Sequence, residues 1–483
     1  MRVLLVLAVI GRLTRLFCLA FLAPFALALW DGHWNSALWF AFSGLLGGGL
    51  GTLVSRRYTA PRLFHRDEAM AVVAGTWMVA AGYAAIPYLF YGLGVADAYF
   101  EAMSGLTTTG ATVLQDFSLY DRPFFLWRAM TQWFGGVGVI ALFVVILPRL
   151  GIAGRQLFFA EASTAPGEDI NPQIRRTAGS VWGLYLGLTG LCAALLIGMG
   201  MSLYDGLVHA LTTLSAGGFS PNGQSIAGYQ NPGVEWVLVV FMFLAGASFP
   251  LQLRLVTGKF RGFFKDDELR VYALISVGCA VALALILTGG NLDEQSLRQG
   301  FFQSTSVMSS TGFASTDYNL WSDSAKAVLV FAMLVGGCAG SAAGGPKVIR
   351  HVLVARNIFR EIRQTLHPRA VLPLRYKGSN VPDAVLRSVV TLATLYVGGY
   401  LAFGILLVFT GNTPTVAFTA ALACLGNVGP GFESIGPMGN FAAFSSFEKA
   451  ALTVAMWIGR LEIMTVLALL HPHVWQSLRF SRK

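Results

Sequence analysis

Four glycines, Gly110, Gly218, Gly312 and Gly429, close short segments whose backbone could bind a cation. Their surroundings read Thr108-Thr109-Gly110-Ala111, Gly217-Gly218-Phe219, Ser310-Thr311-Gly312-Phe313 and Asn427-Val428-Gly429-Pro430-Gly431. Glycine permits backbone conformations that bulkier residues resist, so successive carbonyl oxygens can face one point. Rings of carbonyls that replace a hydration shell are how monovalent-cation filters are built. No acidic residue is shared by the four segments, which argues against a divalent ion.

Other chemistries find little support. No apolar run carries a His/Asp/Glu cluster, or a nucleophile with a base in reach, so an enzyme is not expected. The five cysteines, Cys18, Cys192, Cys279, Cys338 and Cys424, sit apart in apolar surroundings and read as small hydrophobes. His471 and His473 lie in the tail with no further ligand nearby. No G-x-x-x-x-G-K-[ST] occurs, so any ATP or NAD sensing belongs to another chain. No cofactor is expected on this one.

The four segments align without gaps on their glycines. Eight residues upstream stand Ala102, Ala210, Ser304 and Ala421; six upstream stand Ser104, Thr212, Ser306 and Ala423. Four upstream stand the large apolar Leu106, Leu214, Met308 and Leu425. The anchors are 108, 94 and 117 residues apart, with an apolar run before and after each. That spacing describes one unit repeated four times. A short helix dipping in from outside would point its carbonyl end, about half a negative charge, at the membrane centre.

The elements that must hold these segments are membrane spans. Hydrophobic residues make up 55% of the chain and charged residues 12%, with a mean hydropathy of +0.62, which excludes a soluble fold and argues against nucleic-acid binding as the use of the +10 net charge. Ten runs are long enough to cross a bilayer: near 13–30, 35–55, 69–94, 124–148, 179–203, 233–256, 270–289, 325–345, 385–410 and 447–470. The glycine segments, near 97–115, 205–220, 297–316 and 414–432, read as re-entrant, since irregular backbone survives in a membrane only where protein or water shields it. With a cytoplasmic N-terminus, 28 of the 34 Lys and Arg fall inside. Ala26-Leu27-Ala28 resembles a signal-peptidase site, but an uncleaved first span is the preferred reading.

The expectation is an all-α integral membrane protein: four span–pore-helix–span repeats in a pseudo-four-fold arrangement around one pore, behind two extra N-terminal spans. Residues 1–66 hold those two spans; 67–150, 151–258 and 259–350 hold repeats one to three. Residues 351–384 form a basic cytoplasmic linker, and 385–483 hold the fourth repeat and the tail. Both termini are expected in the cytoplasm.

Inside the run 325–345, five glycines fall within Gly336-Gly337-Cys338-Ala339-Gly340-Ser341-Ala342-Ala343-Gly344-Gly345. They should break the helix, each costing about 1 kcal/mol relative to alanine. Two readings stand: close packing through small residues, or a flexible loop that gates. Arg460 and Glu462 are the charges placed well inside a span, either paired with each other or a neighbour, or with Arg460 facing a pore. Residues Lys347–Leu366 are basic with helical spacing, and Arg356, Arg360 and Arg363 share a face that suits anionic headgroups.

These stretches carry a resemblance. T-T-T-G-A (107–111), W-F-G-G-V-G-V (133–139), S-A-G-G-F-S (215–220), S-S-T-G-F (309–313), G-G-C-A-G-S-A-A-G-G-P-K-V-I-R (336–350), N-V-G-P-G (427–431) and G-R-L-E-I (459–463) follow in order. The sequence resembles the Trk/Ktr/HKT superfamily of bacterial, fungal and plant K⁺ transporters, and its bacterial Trk type most of all. The resemblance implies a selectivity filter at Thr108, Thr109, Gly110, Ala111, Gly217, Gly218, Phe219, Thr311, Gly312, Phe313, Asn427, Val428, Gly429 and Pro430. K⁺, the transported ion, would sit at Thr109, Gly110, Gly217, Gly218, Thr311, Gly312, Val428 and Gly429. Serine at the first glycine goes with Na⁺ preference in the family, so Gly110 implies K⁺.

It also implies a gate at Gly336, Gly337, Gly340, Ser341, Gly344 and Gly345, with Lys347 and Arg460 adding a positive barrier. Potassium uptake across the bacterial inner membrane follows. The implied partners are a cytosolic nucleotide-binding (NAD or ATP) regulatory subunit, a second copy in a homodimer, and membrane lipid. Regulator docking would fall on Lys347–Leu366 and on the basic loops 149–178 and 254–270. A symporter coupling K⁺ or Na⁺ to H⁺ stays open as the alternative mode.

Overall fold

The computed structural model describes residues 2–56, 66–141, 172–258, 260–376, 379–461 and 463–472. The chain opens with α1 (Val3–Phe17), a 3₁₀ turn (Cys18–Phe21) and α2 (Leu22–Trp30), which together make one span of 28 residues. This span starts ten residues before the expected boundary. It runs alongside α3 (Trp34–Arg56), where Gly11 and Gly51 bring the two backbones together: a methyl group on either would meet the other's carbonyl oxygen within 3.0 Å.

The element order then runs long, short, long. Helices α4 (Arg66–Phe90), α5 (Val95–Leu106) and α6 (Arg122–Ala141) come first. They are followed by α7 (Pro172–Gly198), α8 (Leu203–Leu214), α9 (Pro232–Gly246) and α10 (Phe249–Val256). After the short α11 (Phe260–Phe264) come α12 (Asp267–Thr288), α13 (Glu294–Met308) and α14 (Asp323–Val335). Helix α15 (Val348–Leu366) and a hairpin, Arg375–Tyr376 paired with Ser379–Asn380, lead to α16 (Asp383–Phe409). The chain ends with α17 (Pro414–Leu425), α18 (Ser446–Leu461) and α19 (Ile463–Leu470). The hairpin is a small exception to the all-α expectation.

The short helices start where the sequence caps them. Ser202 and Thr413 accept from the backbone N–H groups of Asp205 and Val416, and Asp293 with Ser296 forms a reciprocal capping box. Pro414 occupies the first turn of α17, where its missing N–H costs nothing.

Not all of the ten expected spans are single continuous helices. Six helices among the described residues are long and apolar enough to cross alone, and two bent pairs raise that to eight. The run 233–256 turns through 110° between α9 and α10. Ala247 and Ser248 are extended there, and Pro250 cannot continue the helical hydrogen bonding. Helix α14 stops at Val335, where Gly336 adopts φ 72°, and 336–347 runs on without helix. Helices α18 and α19 form the second bent pair. Glu462, between them, lies outside the described residues, as does most of the expected docking loop 149–178.

The two breaks satisfy each other. A helix that ends inside a membrane leaves carbonyls that need donors. Ala245 and Gly246, at the end of α9, accept from the N–H groups of Ala342 and Cys338 at 3.0 and 2.8 Å. In return Phe249 N–H donates to Gly340 O at 3.0 Å. Glu268, buried at the start of α12, accepts from Ala339 N–H (2.7 Å) and Ile349 N–H (3.3 Å), pinning both ends of the loop. The segment is irregular yet held by hydrogen bonds from its backbone to α9, α10 and Glu268.

Candidate functional site

Each short helix ends in the same backbone device. The residue two before the glycine takes a left-handed conformation: Thr108 (φ 53°), Ala216 (55°), Ser310 (57°) and Asn427 (52°). Two hydrogen bonds close the helix behind it. In the first, Thr108 N–H donates to Gly105 O (2.9 Å) and Thr109 N–H to Ser104 O (2.8 Å). The same pair recurs as Ala216 to Thr213 with Gly217 to Thr212, as Ser310 to Val307 with Thr311 to Ser306, and as Asn427 to Cys424 with Val428 to Ala423. This is the Schellman closure, and it turns the chain sharply out of the helix. Its left-handed position is normally a glycine, so four larger residues there hold strain that the surrounding packing sustains.

Gly110, Gly218, Gly312 and Gly429 follow at φ 84°, 75°, 80° and 99°. Their contacts form a closed circuit. A methyl group on Gly110 would strike Gly217 O, one on Gly218 would strike Thr311 O, one on Gly312 Val428 O, and one on Gly429 Thr109 O, all inside 3.0 Å. Both conformation and space therefore demand glycine. The eight residues proposed from resemblance to hold K⁺ meet at one place.

The chain divides two surroundings as it passes this circuit. Residues after the glycines, Ala111, Phe219 and Pro430 among them, line a cavity of about 310 Å³ that all four glycines share. Residues before Gly312 and Gly429 meet the loop: Gly344 N–H donates to Ser310 Oγ at 2.6 Å, and Gly345 packs on Gly426 O. Arg460, 4% exposed, donates from Nη1 to Ala342 O at 2.8 Å and from Nη2 to Gly135 O at 3.4 Å. Lys347 Nζ donates to Ala343 O. Gly336, Gly337, Gly340, Ser341, Gly344, Gly345, Lys347 and Arg460 thus belong to one assembly beside the circuit, buried except at the half-buried Gly340 and Gly345. The hydrogen-bond partners of Arg460 are these two backbone carbonyls, and no ion pair joins it to a carboxylate among the described residues.

Sequence reasoning missed the braces. Nine residues before each glycine stand Glu101, His209, Gln303 and Ala420. Glu101 accepts from Val113 N–H (3.0 Å) and Thr112 Oγ1 (3.1 Å), and Arg128 Nε donates to it at 2.8 Å. Arg128 also lies over the Phe219 ring, 3.9 Å from its centroid, tying the first segment to the second. His209 Nε2 meets Ser220 Oγ at 3.0 Å, and Gln303 Nε2 donates to Ser315 Oγ at 3.4 Å. At Ala420 the neighbour Thr419 substitutes, its Oγ1 accepting from Phe432 N–H at 3.3 Å. The alignment on the glycines contained this column; its chemistry varies too much to stand out.

Gln132 was missed as well. Its Nε2 donates to Gly217 O at 2.6 Å and its Oε1 accepts from Phe219 N–H at 3.0 Å, bracketing the second segment. A carbonyl has two lone pairs, so Gly217 O retains one. Asn427 Nδ2 bridges to Thr109 Oγ1 at 2.9 Å and to Met456 O at 3.0 Å, joining the fourth segment to the first.

The basic face of α15 is less open than expected. Arg356 reaches Asp267 and Arg375 O, and Arg360 reaches Asp383 and Glu361. Arg363 is exposed, beside exposed Ile358, Phe359, Ile362 and Leu366.

The family model for a cation transport protein, TrkH, matches residues 40–476. The chain belongs to the TrkH family. It is 34% identical over 487 residues to the Trk system potassium uptake protein TrkH of Vibrio parahaemolyticus, covering 98% of this chain and 99% of that one. The Salmonella typhimurium protein of the same name is 33% identical over 419 residues, 85% of this chain and 86% of the relative. Escherichia coli TrkG, a Trk system potassium uptake protein, is 31% identical over 475 residues, 97% of each. The crystal structure of the potassium transporter TrkH from Vibrio parahaemolyticus matches with a TM-score of 0.89 at 32% identity, over 98% of this chain and all of that one. With its apolar spanning helices, this TrkH-family chain is a membrane protein.

Proposed function

We propose that this chain carries K⁺ into a bacterial cell across the cytoplasmic membrane. Four span–pore-helix–span repeats would surround one pore, with the boundaries given above, behind two extra N-terminal spans. The observation that carries the reading is the closed circuit of glycines against backbone oxygens. Oxygens of Thr109, Gly217, Thr311 and Val428, brought that close, suit a dehydrated monovalent cation. The potassium uptake named for the relatives supports K⁺ as the ion.

The loop 336–347 would be the gate, a reading supported by its contacts with Ser310 and Gly426 just before two of the glycines, and Arg460 and Lys347 would add a positive barrier there. The positive-inside count favours cytoplasmic termini. The relatives' "Trk system" naming favours a further component, proposed here as a cytosolic nucleotide-binding (NAD or ATP) subunit. It would dock on α15 and the basic loops, and the channel would work as a homodimer. The chain itself is proposed to bind no cofactor and to catalyse no reaction.

Single-channel recording from the purified protein in planar bilayers tests the core of this. Unitary K⁺ currents are expected. A flux fixed in ratio to H⁺ or Na⁺, with no unitary current, would favour a symporter instead.

A further inference from the structure

A second cavity, also about 310 Å³, lies on the loop side of the glycine circuit. Its walls come from the end of α14, the loop residues Ala343–Lys347, the start of α15, the middle of α16, Gly459 and Arg460 of α18, and Ile463 of α19. The lining is two-sided in chemistry. Leu334 and Val397, 36% and 54% exposed, give it apolar walls continuous with the membrane face of α16, of which only 11% is buried. Lys347, Arg350 and Arg460 also line it, and no carboxylate does among the described residues. His351 lines it too, but burial pushes its imidazole below the ordinary range, so it adds no charge near neutral pH. Tyr396 contributes a buried hydroxyl with no hydrogen-bond partner among the described residues.

Basic pockets between spanning helices on the cytoplasmic side are suited to anionic lipid headgroups. An apolar wall open to the bilayer suits an acyl chain, whose burial contributes in proportion to its methylene groups. A volume of about 300 Å³ is enough for part of such a molecule. We infer that this cavity binds one anionic phospholipid of the inner leaflet, its phosphate toward Arg350 and Lys347 and an acyl chain along Leu334 and Val397. The Tyr396 hydroxyl is available to an ester oxygen. The inference takes its choice of leaflet from the orientation proposed above and nothing else from that reading. Because Ala343–Lys347 and Arg460 form one wall, the lipid would press directly on the loop assembly.

The test is lipid retention, which involves no ion flux and so fails separately from the transport reading. The full-length protein is stripped of lipid in detergent, titrated with phosphatidylglycerol or phosphatidylcholine, and read by native mass spectrometry. Phosphatidylglycerol is expected to bind about tenfold more tightly, from its attraction to the basic lining. Val397→Trp, at an exposed position, should block binding of both lipids by filling the mouth, and Arg350→Gln should remove the preference for phosphatidylglycerol. Equal binding of the two lipids to the unaltered protein would overturn the inference. So would undiminished phosphatidylglycerol binding by Val397→Trp, or equally tight capture of free glycerol 3-phosphate, which needs no acyl groove.

Discussion

Arg460 and Ala342 are joined by a buried hydrogen bond of 2.8 Å from Nη1 to the backbone carbonyl, although 118 residues separate them in sequence. The guanidinium therefore holds the loop and, through Gly135 O, the second half of α6 at the same time. Under the proposed function, a charge in that position would also oppose a cation leaving the glycine circuit.

Arg460→Ala should raise unitary K⁺ conductance several-fold in planar bilayers, since it removes the charge and a donor together. Ala342 O would lose its partner, at a cost of about 1–3 kcal/mol, so thermal unfolding in detergent should shift downward as well. Unaltered conductance would remove Arg460 from the barrier.

Gly218→Ala should abolish Rb⁺ uptake into proteoliposomes while the protein still elutes as a folded species. The residue sits at φ 75°, and its methyl group would collide with Thr311 O. Near-normal uptake would mean that the circuit is not on the ion's path.

Glu101→Ala should destabilise the fold by about 3–5 kcal/mol, because it leaves the 2%-exposed Arg128 charge unpaired. A double variant with Arg128→Met should recover much of that loss in a thermal-shift cycle. Additive losses would show that the pair is not energetically coupled.

Gln132→Leu should weaken discrimination between Rb⁺ and Na⁺ more than it lowers total uptake. The amide alone spans Gly217 O and Phe219 N–H, so leucine frees one and orphans the other. The ratio of Rb⁺ to Na⁺ flux from competing uptake measures this directly. An unchanged ratio would leave Gln132 a packing residue.

Much of the architecture could be read from residue types. Small residues eight and six places before each glycine, with a large apolar one four places before, marked α5, α8, α13 and α17 and where they end. The glycine run from Gly336 announced that α14 would stop. The turn between α9 and α10 was less visible, because 233–256 is largely apolar and Gly246, Ser248 and Pro250 are modest local signals. Its cause is tertiary: the carbonyls freed at Ala245 and Gly246 are tolerable only because Ala342 and Cys338 arrive from a distant segment. The braces escaped for another reason. Glu101, His209 and Gln303 solve one positional problem with three chemistries, so no residue type repeats. Gln132 acts on a segment outside its own unit, and no spacing rule within one unit could find it. The arginines of α15 were legible as charges, but not their pairing with Asp267 and Asp383.

The glycine circuit also bears on how such a chain can change over generations. Each corner borders an oxygen that belongs to another segment, so a side chain gained at one corner is felt first by a neighbour encoded far away, as when Gly429 meets Thr109 from the opposite end of the chain. Any rescue of such a change should arise across that seam. Four stretches far apart in the gene are in this sense bound to vary together or not at all.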